Sequence, residues 1–494
     1  MITNRKVFKI KIIDQIIIDN EDDIAFQKIK YIYLFSDYIY YSYSIEDLLS
    51  YLRLNNLPVE VELSSLVNLL QYGVTDLPKT IYKNMYILNI NYKILFYKAG
   101  SDILHKKIFD FPFNLNGKQN LPDENLLLEK LFLSIQKNRD KSKNSFLFHS
   151  SGKDSNLLAL AIMESGYQKD YYLTSSYSPG ESDESLYSKN FAKKYGFKSI
   201  TLKPPSWNKR EKEFMVKSYF EKSPFPSTDQ VTLAYPGFLF HNPQLCHSNI
   251  IDGMGNDVYL GHMPTKDEYF RQKFFDYSSN LGKIINNYVK SEGLLNVLRR
   301  TRQENTGISG LSKYDLQKIF RFKINTLDFS IFSNDLDYIL MRGKIRGGII
   351  DQEIFIRKVR NFASVSESNL ILPWCDKDIA NLFINVSSDK LFNRNIFKNK
   401  LMLRKILQDK IKNYDDSKKA FAFDLKNFFS GNIDFVEDEI LSCRFFHKPY
   451  IKSMLKRLKI AINQNNGKSF KSVNILNRIF TISSWLNNCK FLNQ

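Results

Sequence analysis

Residues Phe146–Ser155, FLFHSSGKDS, carry an apolar strand pattern (Phe146, Leu147, Phe148) into a turn of small residues. A helical pattern follows at once, NLLALAIMESG from Asn156. Ser and Gly let backbone N–H groups approach an anion closely, and the following helix directs its unpaired first amides and the positive end of its dipole at the same place. Lys153 adds charge, and Asp154 is a carboxylate of the kind that holds magnesium beside phosphate oxygens. The stretch therefore reads as a nucleotide-phosphate loop built from Ser150, Ser151, Gly152, Lys153, Asp154 and Ser155. Taken alone it also fits an ordinary Gly/Ser turn between strand and helix. It is not a Walker A loop, because the G-x-x-x-x-G-K-[ST] spacing is absent.

Outward from this stretch, helices and buried strands alternate, which predicts a parallel α/β sheet from about Leu121. LPDENLLLEKLFLSIQKNRDKS reads as a helix with Leu126, Leu127, Leu131, Phe132 and Ile135 along one side. After the loop come strand DYYLTSS, helix DESLYSKNFAKKYG and strand SITL, with Ser182, Asp183 and Glu184 as the helix cap and Gly196 as its stop. In such a sheet ligands sit beyond the carboxyl ends of the strands, where residues 150–155 lie. About a hundred residues further on, SNIIDGMGNDVYLGH places a second strand (Asn249 to Asp252) before a Gly-x-Gly turn (Gly253, Gly255), Asp257 and Gly261. The first 115 residues differ: short runs rich in Tyr, Ile and Phe alternate with the amphipathic segments SIEDLLSYLRLNN and SSLVNLLQYG, predicting an α+β layer.

The loop resembles the S-G-G-x-D-S loop of the PP-loop ATP pyrophosphatases, with Ser150, Gly152, Asp154 and Ser155 matching and Ser151 in place of the first glycine. Taken with the second turn, which is similar to a G-x-G-x-D-x-x-x-G pattern, the chain resembles the asparagine synthetase-like family. Tyr72, Gly73, Pro78, Thr80, Ile81 and Tyr82 look like the end of that family's glutaminase domain. Pro373 and Asp376 match its P-F-x-D segment, Lys400 and Arg404 its K-x-x-L-R helix, and Lys418 and Phe421 its K-x-G-F turn, with Ala420 replacing glycine. Residues 265–365 are almost unmatched. The resemblance implies a degenerate, Ntn-type, class II glutaminase-like α+β sandwich over 1–117 and a PP-loop synthetase domain with a helical C-terminal part over 118–494. It implies ATP and Mg2+ as cofactors, Asp154 and Asp257 as magnesium ligands, Gly253 and Gly255 in the pyrophosphate site, and Lys400 and Lys418 facing the phosphates and the acyl-adenylate. A working glutaminase of this class needs a cysteine directly after the initiator methionine. Here Ile2 follows Met1 and the first cysteine is Cys246, so the expected glutaminase domain is inactive.

Composition narrows the remaining classes. The length of 494 residues is enough for two or three domains, and 43% hydrophobic with 25% charged residues is that of an ordinary globular chain. No apolar run reaches the roughly 18 residues that span a bilayer, and Lys9, Lys11 and Asp14 interrupt any signal-peptide core; the expected location is the cytoplasm. Cys246, Cys375, Cys443 and Cys489 lie far apart without a C-x-x-C pair, which argues against zinc and against a disulfide framework. The net charge of +19 suits an anionic partner. Its accumulation after Ile440 fits a solvated helical face, and no nucleic-acid-binding signature accompanies it.

The expected activity is ATP-dependent, AMP-forming amide synthesis: adenylation of a carboxylate on a small molecule or peptide, then transfer to an amine, as in lasso-peptide cyclases or β-lactam synthetases. A precursor peptide is one expected partner and an ammonia-supplying protein another, the latter in an asparagine synthetase-type reaction. A catalytically impaired scaffold paralogue and a PP-loop RNA-modifying enzyme are the competing readings. Met254 stands where relatives carry Glu or Tyr, which leaves Asp351 or Glu353 as substitute bases.

Overall fold

Among the described residues, dense Tyr, Ile and Phe up to Phe109 form seven strands: β1 (Phe8–Lys11), β2 (Gln15–Ile18), β3 (Lys30–Phe35), β4 (Tyr38–Ser42), β5 (Met85–Leu88), β6 (Tyr92–Ala99) and β7 (Asp102–Phe109). The computed structural model describes residues 7–20, 25–88, 90, 92–177, 183–272, 284–292, 306, 310–324, 337–412, 414, 423–464 and 467–492. The seven strands make two antiparallel sheets, ordered β1-β4-β3-β5 and β2-β6-β7. In β6 the inward positions Tyr92, Ile94 and Phe96 alternate with half-buried ones, the period-two pattern of a sheet covered on one face. Tyr86 of β5 meets Phe96 edge-on at 5.4 Å and His105 of β7 at 4.9 Å, so the two sheets share contacts.

Two helices accompany them. Helix α1 (Ile45–Leu54) starts at Ser44, whose hydroxyl accepts the Asp47 amide, as expected for a Ser cap. Helix α2 (Leu63–Tyr72) instead starts at Glu62, which accepts the Ser64 amide, and ends at Gly73 in the left-handed region. A Cβ on Gly73 would approach the movable Arg478 guanidinium at 2.9 Å, so it is the left-handed conformation (φ +78°) that favours glycine there.

The α/β part contains helix α3 (Glu124–Asn138), strand β8 (Ser145–Phe148), helix α4 (Lys153–Glu164), strands β9 (Tyr171–Ser176) and β10 (Lys198–Leu202) around helix α5 (Ser185–Tyr195), then β11 (Asn249–Ile251) and β12 (Asn369–Ile371). All neighbours in this sheet are parallel, in the order β10-β9-β8-β11-β12. Phe146 and Ile250 point into one apolar cluster, while Leu147, Leu173 and Ile251 point into another. A sheet buried on both faces needs continuous apolar strands, which is why FLF and NII do not alternate with polar residues.

Helix α3 buries Leu127, Leu128, Leu131 and Ile135, whereas Leu126 is exposed and Phe132 half-buried; the apolar stripe is rotated from the one expected because α3 packs on α4 with the 127/131/135 side. Helix α5 ends at Gly196 in the left-handed region, as expected. Its start differs: Asp183 accepts the Ser185 amide, Glu184 makes no cap, and Ser182 lies outside the described residues.

The first apolar cluster runs from the antiparallel sheets through the parallel sheet to the C-terminal helices Lys448–Ile462 and Gly467–Asn488. Tyr82, within the expected glutaminase-like segment, donates its hydroxyl to the Pro224 carbonyl and packs edge-on to Trp485 at 5.9 Å, whose indole N–H bonds Ser223 at 2.9 Å. The expected boundary at 117/118 falls between β7 and α3, yet this core crosses it. Among the described residues no helix is long and apolar enough to cross a membrane.

Candidate functional site

The order β10-β9-β8-β11-β12 means that the chain leaves β8 toward β9 and β10 on one side and returns to β11 on the other. Such a reversal of strand order opens a crevice at the carboxyl ends of the two strands. A cavity of about 660 Å³ lies there, lined by both expected turns, within the size range of small-molecule sites.

The first turn is closed on itself. Ser150 Oγ accepts the Gly152 N–H and Ser155 Oγ accepts the Ser150 N–H, each at 3.1 Å. Asn156 Nδ2 donates to the carbonyls of Ser150 and Gly152 at 2.9 and 2.8 Å. Asn156 Oδ1 in turn accepts the Tyr187 hydroxyl at 2.7 Å and lies 3.3 Å from His149 Nε2. Burial pushes the His149 imidazole down to about 4, against the hydrogen bond to Asn156, so His149 is neutral at pH 7. Ser151 donates both its amide and its hydroxyl, at 3.2 and 2.6 Å, to Glu184 at the start of α5. Ser151 thereby ties the first turn to the next helix, a role glycine could fill only by its amide. No side chain caps α4, so its first amides, at Lys153 to Ser155, are oriented toward the cavity end of the helix.

The second turn lies directly on the first. A Cβ on Gly253 would stand 3.1 Å from the Ser155 amide nitrogen, and one on Gly255, which has φ +111°, would stand 2.3 Å from Cys375 Sγ. Close approach to the Ser155 backbone favours glycine at 253, and at 255 both contact and conformation demand it. Asp252, at the end of β11, accepts the Met254 amide at 3.0 Å; burial pushes its carboxyl up to about 6 despite nearby Lys358. Asn256 donates to Asp154 at 2.7 Å.

Lys400 joins the two turns. It sits in the left-handed region (φ +55°) just before the helix Leu401–Lys410, an arrangement that costs a non-glycine residue about 1–2 kcal/mol. Its ammonium is 2.8 and 2.7 Å from the Asp154 oxygens, 2.8 Å from Asp257 and 2.8 Å from Asn256 Oδ1. Burial alone raises the Asp257 carboxyl, but Lys400, His262 and Arg346 outweigh it and hold the group far below the usual carboxylate range. Lys400 is likewise held above the usual range: burial lowers it, and Asp154 with Asp257 more than offsets that. Arg346 contacts Asp257 at 3.2 Å. Close by, Gly347 lets the π-helical segment Arg346–Ile356 approach Val258 so closely that a Cβ would stand 2.2 Å from a Val258 methyl.

Ser150, Ser151, Gly152, Lys153, Asp154, Ser155, Gly253, Gly255, Asp257 and Lys400 thus meet around one cavity or immediately behind it, although they span some 250 positions. Lys418 lies outside the described residues. Of the substitute bases considered above, Asp351 lines the cavity, but Glu353 is taken by the Thr75 amide and hydroxyl and by Arg357. Met254 lines the cavity as an apolar residue. Asp376 is a helix cap, accepting the Asp378 amide and the Ser134 hydroxyl. Residues not foreseen are Asn156, Glu184, Asn256 and Arg346. Asn256 lay inside the quoted turn and Asn156 just after the loop, whereas Arg346 falls in the stretch without any sequence signal.

Among the described residues no cluster of three or more His, Cys, Asp or Glu is disposed as a metal site. Asp154 and Asp257 offer two carboxylates facing one ammonium, an oxygen donor set that suits magnesium completed by phosphate oxygens. Comparison with models of protein families gave no match, and comparison with curated proteins gave no similar protein.

Proposed function

We propose that this protein is an ATP-dependent, AMP- and pyrophosphate-forming carbon–nitrogen ligase that adenylates a carboxylate and passes the acyl group to an amine. The observation that carries this reading is the meeting of Asp154 and Asp257, borne by the turns after adjacent parallel strands, at a shared lysine inside the cavity. The resemblance of both turns to those of the asparagine synthetase-like family gives the arrangement its reaction.

A carboxylate is a poor acyl donor because its leaving group would be oxide. Attack of the carboxylate oxygen on the α-phosphorus of ATP, with cleavage of the bond to the β-phosphate, converts it to a mixed anhydride; an amine then displaces AMP. The uncapped start of α4 and the hydroxyl of Ser150 supply donors to phosphate oxygens. Asp154 and Asp257 would hold Mg2+, which supplies charge neutralisation to the departing pyrophosphate. Lys400 adds a cation in a largely water-excluded place, where it acts more strongly than in water. Phe148, Leu202 and Phe238 give the cavity apolar wall for a base, beside the polar ends of β9 at Ser175 and Ser176. The acceptor in this reading is an amine brought by a peptide or small molecule, with ammonia from a partner protein as the alternative; the antiparallel layer, residues 7–109, carries no cysteine that could serve as a glutaminase nucleophile.

Pyrophosphate exchange into ATP, run against a panel of carboxylates and candidate precursor peptides, tests the reading. The exchange is expected to depend on Mg2+ and to fall by about two to three orders of magnitude in Asp154→Ala and in Asp257→Ala, the scale of losing one electrostatic stabiliser. Exchange retained in both variants removes the two-carboxylate site. Absence of ATP binding in the wild type leaves the scaffold reading.

A further inference from the structure

We infer that Asp351 receives the N–H group of the acceptor amine, an inference that rests on the amide-forming reading above. Asp351 lies on the π-helical segment Arg346–Ile356 and lines the cavity that holds Asp154, Asp257 and Lys400. It is 4% exposed, yet neither of its carboxyl oxygens takes part in a hydrogen bond. Arg346 is beside it, with Nε 3.5 Å from Oδ1, but that nitrogen also makes no hydrogen bond, and the far end of the guanidinium is engaged by Asp257.

The other acidic residues lining the cavity each have a donor. Asp154 and Asp257 have Lys400, Asp229 has Lys358, Glu184 has Ser151, and Asp252 has the Met254 amide. Asp351 alone in this set is left without one. A buried carboxyl lacking a donor is strongly unfavourable unless something else completes it, and the surroundings are consistent with that: burial, opposed by Arg346 but assisted by Asp257, pushes the group up to about 7.

A primary amine is a fitting complement, because it presents up to three N–H donors on a compact head. Met254, Phe355 and Ile356, which also line the cavity, offer apolar surface to the carbon chain of such a molecule. The neighbouring Glu353 is no alternative, since Thr75 and Arg357 occupy its oxygens.

Calorimetric titration of the full chain with n-butylammonium chloride tests the assignment, with tetramethylammonium chloride as a cation of comparable charge that has no N–H. Wild type is expected to bind the first and not the second. Asp351→Asn is expected to weaken butylammonium binding by about tenfold or more, the effect of losing a hydrogen bond to a charged group, and Asp351→Glu to restore part of it. Equal binding of the two cations by wild type overturns the assignment, as does unchanged butylammonium binding in a folded Asp351→Asn. So does a titration with MgCl2 alone in which Asp351→Asn loses magnesium binding while amine binding stays as in wild type. The wild-type comparison decides the matter even if Asp351→Asn does not fold. ATP titrated in parallel separates the two ideas: no ATP binding with intact discrimination between the cations defeats the adenylation reading and leaves the amine site standing.

Discussion

Replacing Lys400 by Met removes the ammonium that both turns share while keeping most of the side-chain volume. Asp154 and Asp257 then stay close together without their common partner, and Asn256 loses the donor to its carbonyl. Breaking a buried ion pair from one side costs about 3–5 kcal/mol. The two carboxylates keep 24% and 23% of their side-chain surface open, so water relieves part of the penalty and the lower end, about 3 kcal/mol, is expected. With an unfolding entropy of about 2.1 cal/mol/K per residue, a cooperatively melting chain of 494 residues has about 1 kcal/mol/K in total, and the expected fall in Tm at pH 7 is about 3 °C.

The pH dependence follows from the same groups. Asp257 is depressed in the folded protein, so its contribution is present above the unfolded carboxylate value of about 4 and is lost as the pH falls further. Lys400 is raised, so its contribution is present below the unfolded lysine value of about 10.4 and is lost as the pH rises through the higher folded value. The gap between wild type and Lys400→Met therefore spans the window between those values and narrows on either side of it. Added Mg2+ is expected to raise the Tm of Lys400→Met more than that of wild type, because the ammonium no longer competes for the carboxylates. Scanning calorimetry at pH 7, with and without MgCl2, measures the stability loss and the magnesium effect. A Lys400→Met protein as stable as wild type at pH 7, or one whose Tm rises with Mg2+ no more than that of wild type, would refute the shared-ammonium account.

Ser151→Ala removes the 2.6 Å hydroxyl bond to buried Glu184 but leaves the amide bond; a loss of about 1.5–3 kcal/mol is expected from the charged acceptor, read by denaturant unfolding, with Ser151→Gly behaving alike or worse. Gly255→Ala drives a methyl group to 2.3 Å from Cys375 Sγ at φ +111° and is expected to destabilise by at least 1–3 kcal/mol, with the yield of folded protein as the first readout. Asp252 is raised to about 6 by burial, so the native state holds its proton more tightly than the unfolded chain and stability falls as the pH rises from about 4 to 6. Asp252→Asn abolishes that slope, and its stability relative to wild type is expected to improve across the same interval in urea titrations.

The two turns were legible because each follows a short buried strand with an abrupt change to Gly, Ser and Asp, a local pattern that backbone chemistry alone explains. The helix stop at Gly196 was legible for the same reason. On α3 the expected Leu127, Leu131 and Ile135 are buried, but Leu128 turns inward in place of Leu126 and Phe132, since helical periodicity leaves the exact rotation of the stripe to what packs on it. Glu184 reads locally as part of a helix cap, but it turns to Ser151, and the residue substituting for a glycine in the loop acquires its role only through that contact.

By itself, then, the sequence determined that two acidic turns end parallel strands and that a lysine precedes a later helix. Only the tertiary structure decided that β8 and β11 are neighbours, so that Asp154 and Asp257 face one another, and that Lys400, 246 positions from Asp154, closes the pair. It also decided between Asp351 and Glu353: residues two apart on a helix face different ways, and packing alone sets which of them meets the cavity and which meets Thr75. Strand order and helix rotation are properties of the whole buried surface, and no short stretch of residues contains them.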